Sequence, residues 1–154
     1  MKTLVLIGCL LSANIFAADY QRHSSSFTIS TFANGGTRIF YNCDSVENRV
    51  THMLKQTGAH VLSVRCTGGL DRWGAGMHLP ASVRVTYDTL SSKIDGNIAT
   101  VVGDTQIKQR DNCHLNNAIF KGVRHNFEIY KQSQKRCLRP GDRTLIDLSL
   151  LLAK

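Results

Sequence analysis

The sequence predicts an α+β fold built from two βαββ-like units, each a mixed or antiparallel sheet packed by one helix and stapled by one disulfide. Three observations predict it. Apolar residues recur at helical spacing after Cys43 and again after Cys113. Strand-like runs flank both stretches. Four cysteines fall as two pairs, Cys43/Cys66 and Cys113/Cys137, at nearly equal spacing.

The chain opens with Lys2, an apolar run from Leu4 to Leu11, and mostly small or weakly polar residues to Ala18. That is the layout of a secretory signal peptide, with cleavage expected after Ala17. The run is shorter than the roughly 20 apolar residues of a membrane span. Leu6-Ile7-Gly8-Cys9 resembles a lipobox, but too few residues precede Cys9, so Cys9 is read as lost with the signal. Residues 1–17 are therefore assigned to the signal and 18–154 to a single domain. No transmembrane segment is expected in the mature chain, and the expected location is periplasmic or secreted.

The full chain of 154 residues carries a net charge of +8. Removing the signal takes Lys2 and no acid, which leaves one charge less, +7. A mature chain of about 137 residues buries a real core. Four cysteines in an oxidising compartment argue for two disulfides. No CxxC is present, so zinc-ribbon and thioredoxin readings are weak, and no metal or cofactor is expected.

In the first half, Val46, Val50, Met53 and Leu54 fall on one helix face. Asp44 and Glu47 have capping-box spacing, and Gly58 is a natural stop. Strand signals lie at Phe27–Phe32, Thr37–Tyr41 and His60–Arg65. Val83, Val85 and Tyr87 alternate with Arg84, Thr86 and Asp88. In the second half, Leu115, Ala118, Ile119 and Val123 form the helix face, with Arg124 and His125 in its last turn. Strand signals lie at Ile98–Ile107, Asn126–Lys131 and Ile146–Leu150. Ser24-Ser25-Ser26 reads as a polar N-terminal segment.

Both halves read β–α–β–β, with Asn-Cys opening the helix and Arg-Cys after the next strand. The pattern points to an internal duplication or pseudo-symmetry, over about 27–90 and 97–153, with 67–80 as an extra loop. A right-handed crossover makes the strands on either side of each helix parallel. If they are neighbours, each cysteine pair comes within disulfide reach. Cys43–Cys66 and Cys113–Cys137 are thus the expected bridges, each contributing roughly 3 kcal/mol through the unfolded state.

Catalytic patterns are absent. There is no P-loop, GxGxxG, Gly-x-Ser-x-Gly, Ser-x-x-Lys or HExxH, and acidic residues are scattered. The expected function is therefore a non-enzymatic binding or structural module for an anionic envelope component or another protein. The candidate binding residues are Arg72 and Trp73 in a Gly-rich loop, with the strip Lys135, Arg136, Arg139 and Arg143. Nucleic acid is the weaker anionic candidate. The alternative is a metal-independent nuclease using His114 or His125, with Lys121 the nearest cation. As helix residues, His114 and His125 would stand roughly 16 Å apart, so each needs a partner from elsewhere in the chain. A third reading is a structural subunit whose interface is a sheet edge.

Overall fold

The computed structural model describes residues 20–31, 38–70, 79–90, 100–138 and 142–153. The first unit comprises β1 (Tyr20–Ile29), α1 (Cys43–Gln56), β2 (His60–Gly69) and β3 (Leu79–Leu90). The second comprises β4 (Thr100–Gln109), α2 (Cys113–Val123), β5 (Ile129–Gln134) and β6 (Thr144–Ala153), with a 3-10 turn at Arg124–Asn126. Each unit forms a three-stranded antiparallel sheet, in the orders β1-β3-β2 and β4-β6-β5. The last strand of each unit lies between the two that precede it, so the halves share one topology.

The strands follow period-two burial. Val83, Val85 and Tyr87 of β3 point inward, as do Ile146, Leu148 and Leu150 of β6. The helix faces complete the core, with Val46, Val50, Met53 and Leu54 from α1 and Leu115, Ile119, Phe120 and Val123 from α2. All belong to one apolar cluster. Full burial of such a side chain contributes about 1.5–3 kcal/mol.

Each helix also reaches across to the other unit. α2 packs on β1 and α1 on β4. Gly122 makes the first contact close, because any side chain there would run into the Phe27 ring. Gln56 brackets Lys108 in the second, donating from Nε2 to its carbonyl at 3.1 Å and accepting its N–H at Oε1 at 3.2 Å. Gln109 Nε2 donates to the Arg49 carbonyl. Arg49 in turn donates to the Arg110 carbonyl and to Asn116 Oδ1.

Several expectations are corrected. β1 begins at Tyr20 and takes in Ser24–Ser26; Ser25 is buried on the inward face, where Asn126 Nδ2 donates to its hydroxyl. Residues 38–41 belong to no strand. Asn42 caps α1, accepting the Ser45 N–H, whereas Glu47 turns away to accept the N–H of Cys66 at 2.7 Å. Gly58 does stop α1, with φ +79°. α2 ends at Val123, so His125 lies in the 3-10 turn. Of the 67–80 segment expected as a loop, residues 67–69 belong to β2 and 79–80 to β3, while 71–78 lie outside the described residues.

Both disulfides form as expected, Cys43–Cys66 and Cys113–Cys137, with Cα atoms 5.3 and 5.7 Å apart. The route differs from the one expected. β1 and β2 are parallel but not neighbours, because β3 lies between them. Proximity comes instead from the helix folding back on the next strand. The fourteen residues of α1 advance about 20 Å. The strand from His60 to Cys66 returns about 20 Å and brings Cys66 to the helix start. The isolated parallel bridge Asn42–Leu70 marks the same junction.

Candidate functional site

The basic strip is divided. Lys135 and Arg136 follow β5 directly, and both are exposed. They line an open groove of about 960 Å³ together with His114, Asn117, Lys121 and Leu138. α2 forms one wall through His114, Asn117 and Lys121, spaced so that they share a helix face. The Cys113–Cys137 bridge ties the far wall to the start of α2. Asn117 Nδ2 donates to Cys137 Sγ at 2.8 Å, while its buried Oδ1 has no hydrogen-bond partner. No carboxylate lines this groove among the described residues. Arg143 is exposed but does not line it. Arg139 lies outside the described residues, as do Arg72 and Trp73.

His114 and His125 fall into different places. His114 faces the cationic groove. His125 lines a smaller cavity of about 390 Å³, with Gln21, His23, Thr89, Asn126, Phe127 and Glu128. The partner for His125 thus comes from the first unit. Sequence offers no signal for this pairing, because β1 and the 3-10 turn lie far apart in the chain and meet only in the fold, where Asn126 reaches Ser25.

Tyr87 is buried behind three of the cavity's lining residues, His23, Asn126 and Phe127. Its ring stacks on Phe127 at 5.8 Å and lies 5.7 Å from the His23 ring. Its hydroxyl donates to the Val123 carbonyl at 3.3 Å and accepts from Asn126 Nδ2 at 3.0 Å. Burial raises the Tyr87 pKa, against hydrogen bonds from Asn126 and Ser25 that lower it. His23 Nε2 is hydrogen-bonded to Thr89 Oγ1 at 2.9 Å. Desolvation lowers the His23 pKa, nearby Asp88 opposes this, and His125 adds to it. Asp88 is itself held low by its hydrogen bond from Arg22.

The shift of His23 has a stability consequence. Its folded pKa lies below the unfolded value, so the unfolded chain takes up the proton first as pH falls. Stability is complete above about pH 6.5 and declines as pH drops through that value toward the folded pKa. A His23→Gln variant is expected to flatten this decline. Urea midpoints measured across that range check it, and identical pH profiles for both proteins would refute it.

Among the described residues, no group of three or more His, Cys, Asp or Glu side chains is placed to hold a metal ion. No described helix is long and apolar enough to cross a membrane. No family model, curated protein or solved structure matches the chain.

Proposed function

We propose that this is an exported, non-enzymatic binding protein of the cell envelope or exterior that takes an anionic partner in the groove between α2 and residues 134–138. One observation carries the reading: Lys121, Lys135, Arg136 and His114 line a single groove that no carboxylate lines among the described residues. Cations from two elements, converging on one concave surface, raise the local concentration of anions more than the same charges dispersed. The signal-like N-terminus and the two disulfides support an oxidising location.

Binding of fluorescent polyphosphate, followed by anisotropy between about 50 and 200 mM salt, tests this. The Lys121→Gln, Arg136→Gln double variant is expected to bind more weakly. Its salt dependence should be shallower by about one unit of slope for each cation removed. Unchanged affinity and slope would remove the groove from the account.

A second reading rests on the His23–His125 cavity, where two imidazoles from different units face one space suited to acid–base hydrolysis. Its described lining carries no Lys or Arg to stabilise a phosphorane, which places it behind the binding reading. RNA shortening that is lost in a folded His23→Ala variant would reverse that order.

A further inference from the structure

The groove meets the end of β5, an edge strand with no strand partner on its outer side among the described residues. Two three-stranded sheets present edges at β1, β2, β4 and β5. Exposed edges invite pairing with other chains, and proteins usually cover them. Here α2 packs against β1. The Gln56 side chain brackets Lys108 on β4. Glu47 takes the Cys66 N–H on β2, and the Leu70 N–H beyond its end is bonded to the Tyr41 carbonyl. β5 pairs with β6 on one side only. Residues Tyr130–Gln134 are all exposed, and Tyr130 and Leu138 are among the most exposed large apolar side chains of the described residues.

The register shows which groups are open. The Lys135 N–H donates to the Leu145 carbonyl at 3.1 Å, so Lys135 turns its backbone toward β6. By alternation Ser133 and Lys131 do the same, and Gln132 and Gln134 turn their N–H and C=O groups outward. Side chains alternate too. Lys131 pairs opposite Ser149 and Lys135 stands beside Leu145, on the face away from the core residues Ile146 and Leu148. Gln134, Lys135 and Arg136 line the groove with Lys121, so Lys135 reaches it at the strand's end while Lys131 stays on the other face. A strand laid along β5 would therefore have cations on both of its faces. Opposing acids are Asp147, across from Ser133 and hydrogen-bonded to Gln106; Asp104, which accepts from Ser149 and shares a surface depression with Lys131; Glu128, just before β5; and Asp142, which accepts the Leu138 N–H.

We infer that β5 is a docking edge for an extended acidic peptide segment, which adds as a strand and places its carboxylates against Lys131, Lys135, Arg136 and Lys121. The inference rests on the anionic-groove reading and names its partner. The main chain supplies affinity and the flanking cations supply selectivity, as in other strand additions. A second copy of this chain is the poorer occupant, because antiparallel β5 edges would bring the same lysines together, and edge lysine is a common device against self-pairing.

The test uses the full chain and two probes: a fluorescent peptide alternating Glu with Thr and Val, and polyphosphate. Gln132→Pro removes an outward N–H without touching the β6 ladder, a position where an edge strand tolerates proline. It is expected to weaken peptide binding by about tenfold or more while leaving polyphosphate binding unchanged. In parallel, the peptide N-methylated at alternate residues, which cannot pair along an edge, is expected to lose affinity for the unmodified protein to the same degree. This second arm holds even if the proline variant fails to fold. Equal binding of the methylated and parent peptides overturns strand addition, as does full peptide binding by a folded Gln132→Pro protein. Polyphosphate binding without peptide binding overturns it while sparing the groove. Binding of neither probe overturns both. A peptide-free dimer in sedimentation that Gln132→Pro dissociates would make a second copy the occupant and overturn the acidic partner.

Discussion

Replacing Cys113 and Cys137 together by alanine is expected to lower stability by about 2–5 kcal/mol, read as a shift in the urea midpoint at constant m-value. The effect should reach the proposed site as well. Cys137 is the covalent link between α2 and the segment that carries Lys135 and Arg136. Asn117, whose Nδ2 donates to its sulfur, loses that partner at the same time. Polyphosphate affinity should therefore fall even where the variant remains folded. Removal of Cys43 and Cys66, which lie at the other unit's helix start, should lower stability by a similar amount and spare affinity. Equal losses of affinity in both double variants would mean that the bridge does not shape the groove.

The second large effect is expected at Tyr87. Truncation to alanine should cost about 3–5 kcal/mol, the range for large buried aromatic residues. Its ring is fully buried and stands between His23 and Phe127, and its hydroxyl meets Val123 and Asn126. The residue belongs to β3, yet most of these partners belong to the second unit. Tyr87→Phe should cost about 1–3 kcal/mol, because the Asn126 amide loses an acceptor in a partly buried setting. Both variants should unfold in a single transition. Two separated transitions in calorimetry would show that the units are energetically independent.

The parts legible in the sequence were the local ones. Val46, Val50, Met53 and Leu54 announce one helix face by spacing alone, and all four are buried. The alternation Val83, Val85, Tyr87 announces β3 equally well. The cysteine pairing was legible too, though the strand order was not. Strand order depends on contacts between residues distant in sequence, such as Tyr20 with Leu90. Short polar signals misled for a physical reason. Asp44 and Glu47 have the spacing of a capping box, but Asn42 already satisfies the first turn and Glu47 has a free strand N–H to meet. Ser25 carries no apolar signal, and its buried hydroxyl finds its partner in Asn126, a residue of the other unit. The proposed site shows the same division. Lys135 and Arg136 were visible as a charge run. Their convergence with Lys121 and His114 required the fold.

The crossed packing of the helices bears on where such a chain originates. Each half packs its helix against a strand of the other, α1 against β4 and α2 against β1. A lone half would leave one side of its sheet open and one helix face without cover. If the two halves descend from one shorter gene, its product was stable only as a pair, with the partner's helix supplying what the second half supplies now. Fusion then converted a concentration-dependent assembly into a folding reaction within one chain. It also freed the copies to diverge, so that one could gather cations around its helix.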